Sequence, residues 1–167
     1  TIANSIAAVE GSTGISADAS NSAILGAGTA FQTGTVTLTL GSGGSDATVS
    51  AAITSGDVSA LATEINGTSG TTGITASASG GVLTLSQADG KDINIADFDN
   101  TATTKTVDVR AVDANGDSIA ATSKTLTGGG AANTDSTIVT GIVTLDSDSS
   151  FSASSSVAAA GNAGSIF

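Results

Sequence analysis

The sequence predicts an α+β fold, mostly antiparallel β with two short helices, and three observations carry that prediction. Between Gly56 and Phe98, a helical stretch from Asp57 to Gly67 (DVSALATEING) is followed by three short runs, GITASAS, VLTLSQ and DINIAD, in which apolar and polar residues alternate. A period that switches from 3.6 to 2 marks a helix giving way to strands. The pattern recurs, since Ile15 to Ser20 matches Ile74 to Ser79 at a shift of 59 residues that also carries Ile2 to Leu61, Ala3 to Ala62, Ile6 to Ile65 and Ile24 to Leu83. Gly80-Gly81, Asp89-Gly90 and Asn115-Gly116 separate alternating runs where tight hairpins need positive φ. Repeated helix-plus-hairpin units followed by a β-hairpin ribbon are expected, and a repeat of this kind speaks of architecture before chemistry.

Taken in order, Thr1 to Glu10 reads as the last turns of a helix, with Ile2, Ile6 and Val9 on one face and Gly11 ending it. By the repeat its capping residue would precede Thr1, so the chain reads as a piece of something longer that starts inside a helix. Ile15 to Ala19 and Ala23 to Leu25 are expected to form a hairpin about Asn21-Ser22. Thr35 to Leu40 is the cleanest strand, with Val36, Leu38 and Leu40 on one face, and the turn GSGGS returns the chain through Asp46 to Ile53. In the central helix Asp57 can accept bonds from first-turn amides, Val58, Leu61, Ala62 and Ile65 fall at helical spacing, and Gly67 is the expected left-handed stop. Leu61 and Ile65 should face a sheet carrying Ile74, Leu83, Leu85, Ile93 and Ile95.

Beyond Phe98, Asp99 to Thr103 is a polar connection. Thr106 to Ala114 and Asp117 to Leu126 then flank Asn115-Gly116, read as the two-residue turn of a long ribbon. The loop TGGGAANTDS, a strand from Ile138 to Leu145, a short strand about Phe151 and an Ala/Ser/Gly tail ending in Ile166-Phe167 complete the chain. This divides it into a tandem helix/sheet unit, residues 1–99, and a ribbon with return strands, residues 100–167, standing apart or packed as one domain.

Composition narrows the function. The apolar 39% of 167 residues is mostly Ala, Val, Ile and Leu, with four Phe and no Trp, Tyr or Met, so the core must be thin and sheet-dominated. Cys and His are both absent, which removes thiolate nucleophiles, disulfides, Cys-based metal sites and the side chain that titrates nearest neutrality. Lys91, Lys105, Arg110 and Lys124 stand against fifteen acidic residues, and a net charge of −11 repels nucleic acid and anionic lipid alike. No apolar run approaches the roughly 20 residues of a spanning helix. Neither nucleic acid nor membrane is an expected partner.

Four constellations invite chemistry, and each has a plainer reading. Asp113, Asn115 and Asp117 place oxygen ligands at alternate positions, as a calcium loop does, but Ser118 and Lys124 stand where an EF-hand needs Gly and Glu, so a hairpin is expected. Asp89, Asp92, Asp97 and Asp99 near one sheet edge suggest paired carboxylates for glycoside hydrolysis, but without Tyr or Trp platforms they read as solvated turn acids. Asn66-Gly67-Thr68 fits a glycosylation acceptor, but three residues match by chance often and Asn66 is explained as a helix end; the abundant Ser and Thr hydroxyls offer other sugar attachment points. GSGGS and TGGGAA lack the Lys-Ser/Thr ending of a phosphate loop. No catalytic, cofactor-binding or metal residue is expected, and no enzyme activity.

The stretches Leu61-Ala62-Thr63-Glu64-Ile65-Asn66, Thr71-Thr72-Gly73-Ile74-Thr75-Ala76, Leu83-Thr84-Leu85 and Ala88-Asp89-Gly90-Lys91-Asp92-Ile93-Asn94-Ile95 resemble, in that order, the IN-type motif of the central variable region of bacterial flagellins. Gly141 to Ala153 is similar to the strand pair that precedes the returning helix of that family, and the two together cover roughly two thirds of the chain. The earlier copy, Ile2 to Leu25, keeps the helix and first strand without the second half. The helices that polymerise a flagellin are absent, so the resemblance implies an outer, surface-exposed domain of an extracellular filament subunit, a structural part of the bacterial flagellum. Its implied partners are other flagellin subunits, through regions absent from this chain, and host or surface glycans; the fragment itself should be a monomer. The filament-cap protein, which carries the same motif, and a cell-surface adhesin or polysaccharide-binding module are the alternatives. The adhesin reading calls for an aromatic groove that only Phe31, Phe98, Phe151 and Phe167 could furnish.

Overall fold

Alternation in the stretch around Val36 builds the first ladder of the protein. The computed structural model describes residues 2–54, 56–130 and 134–152. Strand β2 (Gly34–Ser42) pairs along its whole length with β3 (Ser45–Ile53) about Gly43-Gly44, and buries Val36, Leu38 and Leu40 completely while Thr35, Thr37 and Thr39 face outward. Two other strands, β6 (Ile93–Asn100) and β9 (Thr137–Val139), complete a four-stranded antiparallel sheet in the order β3-β2-β6-β9. The second sheet runs β4 (Ile74–Ser79), β5 (Val82–Gln87), β1 (Ile15–Leu25), β7 (Thr106–Ala111), β8 (Lys124–Thr127), with β10 (Ile142–Ser147) joined to β1. The chain is therefore α+β and mostly antiparallel β.

The helices are α1 (Ile2–Ala7), α2 (Glu10–Thr13), α3 (Ser59–Gly67) and α4 (Ser69–Thr72). Helix α3 packs on β4 and β3, the end strands of the two sheets, and closes that side. It buries Leu61 and Ile65 fully, in one cluster with Ile74, Leu83, Leu85, Ile93 and Ile95. The grouping matches the sequence expectation, but these residues span two sheets. Strands on both sides of residue 99 share both sheets, and Val107, Val109, Leu126 and Val139 join the same core.

The repeat is a structural one at the helix-to-strand junction. Each helix is followed by a one-turn helix that ends on a left-handed glycine, Gly14 (φ 66°, ψ 18°) or Gly73 (φ 69°, ψ 6°), whose amide bonds at 2.7 Å to the carbonyl of Glu10 or Ser69. The next amide, of Ile15 or Ile74, donates to the hydroxyl of Thr13 (3.3 Å) or Thr72 (3.2 Å). The expected stops at Gly11 and Gly67 are corrected accordingly: neither has positive φ, and the reversal falls where the chain must leave the helix axis to enter the sheet.

Other expectations are corrected too. There is no hairpin at Asn21-Ser22: neither residue has positive φ, and β1 runs straight through. Asn21 is instead buried, its amide nitrogen donating to the carbonyls of Lys91 (2.9 Å) and Val139 (2.7 Å). Gly80-Gly81 does close a two-residue hairpin, but Asp89-Gly90 does not, because β5 already has β4 and β1 on its edges, so β6 crosses to pair with β2. The run from Ile138 to Leu145 is broken at Thr140-Gly141 into β9 and β10, one in each sheet. A Cβ on Gly141 would collide with the Gly90 carbonyl, so the two crossovers touch through bare backbone. Phe151 lies in no strand and is 43% exposed. The tail to Phe167 falls outside the described residues.

The half that the first copy lacks is supplied from far along the chain. Ile15 pairs with Ser147 and Ser20 with Ile142, as Ile74 pairs with Gln87 and Ser79 with Val82. The sequences IVTLDS of β10 and VLTLSQ of β5 align in that register.

Leu61→Ala should cost about 2 to 5 kcal/mol in urea unfolding, the range for a fully buried leucine. Asn21→Ala leaves the buried Val139 carbonyl and the partly buried Lys91 carbonyl without their donor and should cost about 1 to 3 kcal/mol, whereas Asn66→Ala at the exposed helix end should cost less.

Candidate interaction surfaces

The calcium-like loop is built from its own backbone. The Asp113 amide donates to the Asp117 carbonyl (2.9 Å), and Asp113 Oδ1 accepts the amides of Asn115 and Asp117, both at 2.9 Å. Gly116 alone has positive φ (89°), which makes this a three-residue loop and not the expected two-residue Asn115-Gly116 turn, since the latter needs positive φ at both positions. The return strand is interrupted by a 3-10 turn over Ala120–Thr122, so the ribbon is shorter than expected. Among the described residues no three acidic side chains converge on a point that could hold a metal.

The four acids singled out in sequence are not brought together. Asp89 lies in the crossover before β6 and Asp99 near the far end of that strand, whose run from Ile93 to Asp99 alone spans roughly 20 Å. Asp89 pairs with Lys91 at 3.2 Å and Asp99 with Lys105 at 2.9 Å, both on the surface. The Lys105 hydrogen bond, followed by the Asn100 amide, holds the Asp99 carboxyl below its usual value. Asp97 serves the backbone: with φ 53° it is the one non-glycine in the left-handed region among the described residues, beside the register shift between Thr37 and Thr39. Phe98 consequently turns inward, and its amide donates to the Asp135 carbonyl at 3.1 Å.

Asn66 uses both ends of its amide on one partner. Its nitrogen donates to the Ala76 carbonyl and its oxygen accepts the Ala76 amide, each at 2.8 Å, so α3 is tied to the edge of β4. Asp57 accepts the Ser59 amide at 2.9 Å at the start of α3, and that bond holds its carboxyl below the ordinary range.

Among the described residues the phenylalanines do not form a groove. Phe31 and Phe98 are each 1% exposed and meet edge-to-face, with ring centroids 6.4 Å apart and planes at 61°. Phe31 anchors the loop from β1 to β2, which is also held by Asp108 Oδ1, acceptor to the amides of Gly28 (2.9 Å) and Thr29 (3.0 Å). Asp108 is buried, and Arg110 Nε stands 2.8 Å from its other oxygen as a charge pair, not an aligned hydrogen bond. Sequence reading missed this buried pair, because alternation with Val107 and Val109 puts Asp108 on the outer face of β7, and the loop that covers it comes from Gly28 and Thr29, about eighty residues away.

The surface is hydroxyl-rich and acidic. Across β2 and β3, Thr37 meets Ser50 at 3.0 Å and Thr39 meets Thr48 at 3.1 Å, oxygen to oxygen. Two shallow depressions occur, one of about 150 Å³ beside Lys124, Ile138 and Val139 and one of about 350 Å³ over Ser16, Asp18, Thr144 and Asp146. No described helix is long and apolar enough to cross a membrane. No protein-family model matches the chain, and no curated protein matches it either.

Two outcomes are expected. The carboxyls of Asp57 and Asp99 are lowered on folding, so their contribution is fully present above the ordinary aspartate value of 3.8 and is lost as pH falls through the lower folded values. Acid unfolding of Asp57→Asn should show a weaker pH dependence in that window than wild type. At Asp97, Gly should be tolerated at least as well as Asp, while Val should cost about 1 to 2 kcal/mol in chemical denaturation.

Proposed function

We propose that this chain is an outer, structural domain of a flagellin-type filament subunit, exposed on the filament surface and carrying no catalysis. The observation that carries the reading is the ordered unit itself: helix, left-handed glycine, alternating strand, Leu-Thr-Leu strand, then the Asp-Gly crossover, with its first half repeated 59 residues apart. A face of paired hydroxyls and a net charge of −11 suit a hydrated, solvent-facing shield. The adhesin alternative is less supported, because Phe31 and Phe98 are spent on the core.

The test uses the parent protein with this segment replaced by a short flexible linker, and the isolated chain beside it. The deletion protein should still form filaments by electron microscopy, and the isolated chain should sediment as a monomer at micromolar concentration. A deletion that is folded and exported but cannot polymerise, or a fragment that forms filaments unaided, would refute the outer-domain reading.

A further inference from the structure

The two copies of the helix-and-strand unit differ in what covers them. In the second, the β4–β5 ladder turns Ile74, Ala76, Leu83 and Leu85 inward. Ile74, Leu83 and Leu85 are fully buried in one cluster with Val49, Ala51 and Ile53 of β3, and α3 lies between β4 and β3. In the first copy, β1 and β10 set Ala17 beside Leu145 and Ala19 beside Val143, as Ala76 lies beside Leu85 and Ala78 beside Leu83. Ile15, Ala17 and Ala19 share the parity of Asn21, Ala23 and Leu25, which are buried, so this face continues the inner face of the sandwich. Helix α1 packs on β1 with Ala3 buried. No described strand plays the part of β3 there: Ile6, Ile15, Ala17 and Leu145 are half-buried, and Val143 is 38% exposed.

We propose that this face docks an amphipathic β-strand of another polypeptide. Continuity with the packed inner face fixes the layer that belongs on it, and the second copy supplies the template: a strand alternating small or β-branched aliphatics with polar residues, as Val49 and Ala51 alternate with Thr48 and Ser50 before Ile53. Basic flanks suit it, because the chain carries a net charge of −11 and Glu10 lies exposed at the start of α2 beside β1, while Lys91, Lys105 and Arg110 are paired with Asp89, Asp99 and Asp108. A second copy of the chain is a poorer occupant: its strands of this character lie inside its own core, and two chains of net charge −11 repel. The inference stands independently of the filament reading.

The probe is a synthetic peptide with the sequence of residues 47–54, flanked by two lysines at each end and titrated into the isotopically labelled whole chain. Saturable shifts are expected at the Ile15, Val143 and Leu145 methyls, weakening as salt is raised. Ala17→Glu, shown by its melting curve to be folded, should weaken binding about tenfold or more, while Ala52→Glu on the outer face of β3 should not. Where Ala17→Glu fails to fold, Val143→Asp replaces it. The proposal is overturned by the absence of saturable shifts at millimolar peptide, or by equal binding in the folded variant. It is also overturned by contacts in the free protein between the Leu145 methyls and residues beyond Ser152, or by self-association that the same variant abolishes, since each names a different occupant.

Discussion

The carboxamide of Asn21 is the interaction on which the rest of the structure depends. It sits in β1 where that strand changes partners, with β10 along Ile15–Ser20 and β5 along Asn21–Leu25. Its two donated bonds reach the crossover after β5, at Lys91, and the end of β9, at Val139. Those two segments connect the sheets, and a buried side chain that satisfies both carbonyls fixes how the sheets are joined. The close approach of Gly141 to Gly90 follows, because segments held this near leave no room for a Cβ.

A core made largely of Ala, Val, Ile and Leu has little bulk, and the protein compensates in two ways. Helix α3 closes the side between β3 and β4, so the aliphatic side chains of two thin sheets and one helix share a single cluster. Phe31 on the loop between β1 and β2 and Phe98 on β6 supply the largest side chains of the core, and Asp108 satisfies two amides of that loop. Asn100 adds a bond to the Gln32 carbonyl at 2.9 Å. The buried side chains of Asn21, Asn100 and Asp108 all bond to backbone, which is where an irregular connection most needs partners.

Local elements were legible in the sequence where local physics decides them. The β2–β3 hairpin, the β4–β5 hairpin, helix α3 with its Asp57 amide acceptor, and the burial of Leu61, Ile65, Ile74, Leu83 and Leu85 all follow from periodicity and turn chemistry. Three misreadings share one cause. Asn21-Ser22, Asp89-Gly90 and Thr140-Gly141 were judged as local turns or as strand interior, yet each is set by which strand edges are already occupied elsewhere. Asn115-Gly116 failed on a competing side chain, since Asp113 captures the amides of Asn115 and Asp117 and opens the turn by one residue. The candidate acids likewise had a sequence proximity that β6 pulls apart, and Phe31 and Phe98 became core.

The sequence by itself determined the class of the protein and its repeated unit, because hydrophobic period, left-handed glycines and the absence of His, Cys, Tyr and Trp are properties of short segments and of composition. Only the tertiary structure decided that β10, more than a hundred residues away, completes the first copy, and that β5 and β6 part into different sheets. Strand pairing across such separations is chosen by the backbone edges left vacant and the side chains that must be covered, and neither is written in any local stretch of the chain.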